Sequence, residues 1–322
     1  MRDALIEVKE LKTYFPIRQG LFSKEVDYVH AVDDVSFCIE KGETLGLVGE
    51  SGCGKTTLGR SILRLVQPTA GQVLYRDKDL LSLNDNKLRT LRGELQIIFQ
   101  DPYSSLNPRR TVAQTLGEVL TVGGNMSRAE AHDRLSELLL QVGLSPLFAA
   151  RYPHEFSGGQ RQRIAIARAI ALNPSFVVCD EAVSALDVSI QSQVINLLID
   201  IKSQSNMTYL FISHDLKVVQ HISDRVAVMY LGVVVEIGPT DPLFEHPYHP
   251  YTRALLSAAL TLDRDKNRER IILEGETPSA TNIPKGCRFC GRCWKAKERC
   301  KCEVPTLKQV GENHYVACFY PE

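Results

Sequence analysis

The stretch Gly49-Glu50-Ser51-Gly52-Cys53-Gly54-Lys55-Thr56 carries the pattern GxxxxGK[ST], placed after the apolar run ETLGLVG and before a helical pattern reaching about Val66. Glycines at these positions let successive backbone N–H groups turn inward around phosphate oxygens, and a helix N-terminus adds partial positive charge there. Lys55 then reaches the β and γ phosphates of a nucleotide, and the Thr56 hydroxyl ligates Mg²⁺. Asp180 closes the apolar run SFVVCDE and is suited to hold Mg²⁺; Glu181, beside it, is suited to polarise an attacking water. His214 closes TYLFISHD and suits a γ-phosphate contact. A second chemistry lies near the C-terminus, where five of the nine cysteines fall in CRFCGRCWKAKERCKC and Cys318 follows. Clustered cysteines in a reducing compartment are read as metal or cluster ligands before disulfides.

Positioning these residues requires an α/β chain. Residues 5–15 and 31–40 alternate as strands do, with a polar, glycine-containing connection around Gln19 and Gly20. Residues 95–99 (LQIIF), SFVVCDE and TYLFISHD read as buried strands separated by helical segments, which predicts a parallel sheet with helices on both faces. From about Thr111 to Ala150 the helical pattern dominates, with Ser127 as an N-cap. VAVMYLGVVVEIG reads as a hairpin turning at Gly232. A boundary near Gly238 and Pro239 opens a last region with a short helix (TRALLSAAL), a charged run (DRDKNRER) and the cysteines. The expected division is 1–238, with a helical subdomain at about 101–157, and 239–322.

Composition bounds the partners. Lys plus Arg and Asp plus Glu number 38 each, so no net field draws the chain to nucleic acid or anionic lipid. No apolar run approaches the ~18 residues of a spanning helix, and MRDALIEVKE has no apolar leader core. The chain is therefore expected in the cytoplasm.

In order along the chain, Phe156-Ser157-Gly158-Gly159-Gln160 resembles the signature of ABC ATPases, Gln100 the Q-loop, Ser184-Ala185-Leu186-Asp187 the D-loop and His214 the switch histidine. Phe156 stands where leucine is commoner and Ala182 where proline often follows the glutamate. The resemblance implies a P-loop NTPase core with an antiparallel β subdomain and an α-helical subdomain. It implies Glu181, His214 and Gln100 as catalytic residues and Mg²⁺ held by Thr56, Gln100 and Asp180. ATP would contact Gly49, Ser51, Gly52, Cys53, Gly54, Lys55, Thr56 and Thr57, with Phe15, or alternatively Tyr14, stacking on adenine. Ser157, Gly158, Gly159, Gln160 and Asp187 would act on the nucleotide of an opposing subunit in a head-to-tail dimer. Loss of the γ-phosphate then opens the pair.

Only about 57 residues separate Gln100 from Ser157, too few for the long coiled coil of repair ATPases. QDPYSSLNPRRTV, DEAVSALDVSIQ, HPYTRALL and the tail pattern GCxFxxRCxxAxxxC…PxL…HxVAC resemble ATP-binding subunits of bacterial oligopeptide and dipeptide importers. That implies two transmembrane permease subunits, a second ATPase subunit, identical or homologous, and an external peptide-binding protein. It also implies a peripheral place on the cytoplasmic face of the membrane and no nucleic-acid partner. The stretch Tyr103–Thr115 would face the coupling helix of a permease. A nucleic-acid-linked ABC ATPase and an iron–sulfur electron carrier are the competing classes, and co-purifying partners separate them.

The tail cysteines matching the family are Cys287, Cys293, Cys300 and Cys318, separated by five, six and seventeen residues; Cys290 and Cys302 are additional. Four thiolates hold a [4Fe–4S] cluster or Zn²⁺. CRFCGRC resembles the start of bacterial ferredoxin sites, which favours [4Fe–4S], with Zn²⁺ as the alternative, free thiols or a disulfide knot as the bland reading, and Cys290 able to replace a neighbour. A structural staple and redox sensing are both open roles. Cys38, Cys53 and Cys179 read as core or loop fillers.

Overall fold

The computed structural model describes residues 4–18, 26–124, 126–260, 271–275 and 278–322. The connection at Gln19 and Gly20 and the run DRDKNRER lie outside the described residues. In chain order the strands are β1 (Ala4–Arg18), β2 (Val26–Glu40), β3 (Thr44–Val48), β4 (Ala70–Tyr75), β5 (Lys78–Asp79) and β6 (Leu95–Ile98). They continue with β7 (Phe176–Asp180), β8 (Thr208–Ile212), β9 (Arg225–Tyr230), β10 (Val233–Pro239), β11 (Lys308–Gly311) and β12 (His314–Val316). The described residues divide into two compact units, one within Met1–Ile39, Thr44–Leu81 and Ser213–Glu322, the other Glu40–Glu43 with Ser82–Ile212.

In the first unit an antiparallel sheet runs in the order β2-β1-β4-β5. Its alternation follows burial: Val35, Phe37 and Ile39 point inward on β2 while Ser36 is exposed. The same unit holds β3 parallel to β9, pairing Leu47 with Ala227, and the expected hairpin of β9 with β10 around Gly232. The tail adds something the sequence pattern did not predict. β12 pairs with β10 at Glu236↔Val316 and Ile237↔Tyr315, and β11 pairs with β12, so residues after 305 complete a sheet edge.

In the second unit β6, β7 and β8 lie parallel, and β7 and β8 are buried at every position. Strands covered on both faces need continuous apolar sequence, which FVVC and YLFI supply. The helical stretch from Thr111 breaks into separate pieces, chiefly Val112–Glu118 and Arg128–Gln141. Ser127 caps the latter as expected, with Glu130 completing a capping box. Among the described residues no helix is long and apolar enough to cross a membrane.

Candidate functional site

In the first unit, β3 delivers the chain to Gly49 and the helix Lys55–Ile62 carries it away. Gly54 has φ +108°, and a Cβ there would stand 2.0 Å from the Ala31 carbonyl oxygen, so only glycine fits. Lys55 is 5% exposed, and its Nζ donates to the carbonyls of Gly49 and Glu50, each at 2.9 Å. Its amine is thus held over the loop that would receive phosphates. Cys53 is buried 3.8 Å from that amine, and burial pushes its thiol pKa up. Ser51 and Gly52 are exposed, while Thr56 and Thr57 are half-buried in the first helical turn. The β9–β10 turn braces the loop, because Gly232 N–H donates to Cys53 O at 2.9 Å.

His214 is exposed, one residue after Ser213, whose N–H donates to Leu47 O beside the loop. Phe15 is 40% exposed. Tyr14 instead donates its hydroxyl to Asp33, and its ring lies 4.1 Å from that of His30. Burial opposes the Asp33 charge, but the Tyr14 hydroxyl and the Arg288 guanidinium outweigh it and hold the carboxyl below its usual range.

In the second unit, β7 ends at Asp180, 2% exposed, and the next residue leaves the strand abruptly. Glu181 has φ +50°, a left-handed conformation costly for a residue with a Cβ and characteristic of functional turns. Its N–H donates to Ile212 O at 3.0 Å, and the Ser184 hydroxyl donates to its carbonyl at 3.0 Å. Gln100, on the loop after β6, donates its side-chain amide to Glu181 Oε2 at 2.8 Å.

The glycine signature opens the helix Gly158–Ile170. Ser157 caps it: its hydroxyl accepts from Gln160 N–H while Gln160 Oε1 accepts from Ser157 N–H. Gly159 is fixed by close approach, since a Cβ would sit 2.4 Å from Ile190 Cγ2. Phe156 is buried against Phe148, with centroids 5.7 Å apart, so the aromatic that replaces leucine serves the core. Asp187, exposed, precedes the helix Val188–Ser205 without bonding its N-terminus through its side chain. A groove of about 700 Å³ in this unit is lined by Arg109, Arg110, Gln114, Glu118, Arg128 and His132 among others.

The tail cysteines Cys287, Cys290, Cys293, Cys300 and Cys318 line one largely enclosed cavity in the first unit; Cys302 is exposed outside it. Burial pushes the Cys287 thiol up to about 12, with the neighbouring Cys300, Cys318 and Cys293 adding to the effect. Among the described residues no group of three or more His, Cys, Asp or Glu side chains could hold a metal ion as placed, so the expected ligation is not shown. Cys179 is fully buried and Cys38 half-buried, as fillers.

Long-range contacts anchor this tail, and residue spacing signalled none of them. Phe289, 1% exposed, packs among Tyr230, Tyr251 and His249 at 5.3, 5.4 and 5.8 Å. Glu236, fully buried, accepts from the N–H groups of Tyr248 and His249 and pairs with His314 Nε2 at 2.8 Å. Arg292 reaches the Glu50 carboxylate, and the Tyr251 hydroxyl accepts from Glu50 N–H.

The family described as ABC transporter matches residues 32–184, and the oligopeptide/dipeptide transporter C-terminal region matches residues 235–300. The oligopeptide transport ATP-binding protein AppF of Bacillus subtilis is 53% identical, over 98% of this chain and 97% of its own. The dipeptide transport ATP-binding protein DppF of Escherichia coli is 47% identical, over 99% and 95%. A dimeric post-hydrolysis structure of the ATP-binding cassette MJ0796, bound to ADP and Pi, is 29% identical with a TM-score of 0.64, over 73% of this chain and 98% of that one. The chain belongs to the ATP-binding subunits of oligopeptide and dipeptide ABC transporters.

Proposed function

We propose that this chain hydrolyses ATP to energise import of dipeptides or oligopeptides across the cytoplasmic membrane, through ATP-driven pairing of two ATPase subunits. The observation that carries the reading is one chain that joins a lysine-bearing phosphate loop to the C-terminal region of peptide transporters. Its partners are two transmembrane permease subunits and a second ATPase subunit, identical or homologous, with an external peptide-binding protein acting through the permeases. The chain sits at the cytoplasmic face of the membrane as a peripheral subunit. The groove beside Arg109 and Arg110, adjoining Tyr103–Thr115, is the surface offered to a permease coupling helix.

Roles follow the family motifs residue by residue. Lys55 and the backbone from Gly49 to Gly54 hold the phosphates, with the Thr56 and Thr57 hydroxyls, and Phe15 stacks on adenine. Phe15 is favoured over Tyr14 because the Tyr14 hydroxyl and ring are already engaged. Glu181 takes a proton from water, Gln100 and His214 position the γ-phosphate and water, and Ser157, Gly158, Gly159, Gln160 and Asp187 serve the nucleotide of the paired subunit. Thr56, Asp180 and Gln100 offer hard oxygen donors, the set Mg²⁺ takes, and the ion neutralises phosphate charge when bound. On this reading residues 1–238 form the ATPase domain and residues 239–322 the peptide-transporter tail that follows it.

Five thiols line one enclosed cavity, and four of them, Cys287, Cys293, Cys300 and Cys318, would hold a [4Fe–4S] cluster or Zn²⁺, for which four thiolates are the donor set. The group would supply folding free energy to a segment with little apolar surface. Purification from membranes tests the whole reading. Two hydrophobic subunits should accompany the chain, and the reconstituted complex should take up peptides only with ATP; failure of both overturns it.

A further inference from the structure

Glu50, the second residue of the phosphate loop, is held at three points. Its carbonyl accepts from Lys55 Nζ at 2.9 Å, its N–H donates to the Tyr251 hydroxyl at 2.9 Å, and its two carboxylate oxygens lie 2.9 and 3.1 Å from Arg292 Nη1. Both last contacts come from the C-terminal region. Arg292 ends the one-turn helix Cys290–Arg292 and is followed by Cys293; Cys290 and Cys293 both line the thiol cavity. Its side chain is 10% exposed and that of Glu50 is 27% exposed, so water screens the pair less than it does a surface ion pair.

When a nucleotide arrives, Lys55 must leave the Gly49 and Glu50 carbonyls to reach phosphate oxygens. The loop then loses two of its own hydrogen bonds, while the Arg292 and Tyr251 contacts to Glu50 remain in place. We propose that Arg292 is a positioning residue of the nucleotide site, holding the phosphate loop open through Glu50 and joining that loop to the cysteine segment. The inference rests on the reading of Gly49–Thr56 as the nucleotide site. The role assigned to Arg292 acts through the Glu50 carboxylate. Its removal should therefore weaken nucleotide binding more than the chemical step, and by linkage a bound nucleotide should steady the cysteine segment.

The test uses the full chain with Mg·ATP as probe. Arg292→Gln should raise Kd and KM about tenfold with kcat within about twofold, and Arg292→Lys should recover part of the loss. Glu50→Gln should match Arg292→Gln, and the double variant should be no worse than either. Mg·ATP should slow amide hydrogen exchange across residues 287–293 in the wild type and not in Arg292→Gln. Wild-type Kd and KM in both single variants, or additive losses in the double variant, overturn the inference. Should Arg292→Gln fail to fold, Glu50→Gln and wild-type exchange decide the matter, and exchange unchanged by Mg·ATP counts against the link. A wild-type chain that binds no nucleotide refutes the nucleotide-site reading itself.

Discussion

Gln100 Nε2 donates to Glu181 Oε2 at 2.8 Å, joining two residues 81 positions apart in the sequence. Glu181 is therefore oriented on both sides, by its left-handed backbone and by this amide. Glu181→Gln keeps the shape of the side chain but removes the carboxylate proposed as the base. Phosphate release should fall at least about a hundredfold, with Mg·ATP affinity kept within a few-fold. Retained turnover would remove Glu181 from its role.

Gly159 leaves no room for a methyl group against Ile190. Gly159→Ala should destabilise the protein by about 1–3 kcal/mol in denaturant titrations, despite alanine's better helix propensity. Adding Ile190→Ala should restore much of that loss. An additive double variant would show that the clash is not the cause.

His249 is wholly buried, and burial holds its pKa down at about 4 against an ordinary 6.5, with Glu236 pulling the other way. The Tyr251 N–H donates to its Nδ1, which a neutral ring alone allows. Between about pH 6.5 and 4 the unfolded chain thus binds the proton that the folded chain refuses. The contribution is complete above 6.5 and is lost as pH falls toward 4, by at most about 3 kcal/mol. His249→Asn, which can still accept at that position, should flatten the fall in denaturation midpoint across this window; an unchanged slope would exclude His249 as the source.

The cavity separates the tail thiols into groups. Cys300→Ser should lower bound iron or zinc and reduce the melting temperature by several degrees, whereas Cys302→Ser, outside the cavity, should change neither. Visible absorption with iron, sulfide and zinc analysis reads the result and identifies the group. Equal losses in both variants would disconnect the cavity from metal binding.

Legibility in the sequence followed range of interaction. The phosphate loop, the Ser127 cap and the hairpin at Gly232 were readable because each depends on residues within a few positions. Helix extents were less so: the helix after the phosphate loop stops at Ile62, short of Val66, and the segment from Thr111 breaks into pieces. Propensity is a weak guide to where packing ends a helix.

Residue types and spacing alone determined the nucleotide chemistry and the α/β class, since glycine-lined phosphate cradles and fully apolar parallel strands are local requirements of backbone and solvent. Only tertiary structure decided that β12 completes the edge beside β10, that Glu236 meets His314, and that Arg292 meets Glu50. Those partners lie far apart along the chain, and no pattern of spacing encodes which buried charge will find which.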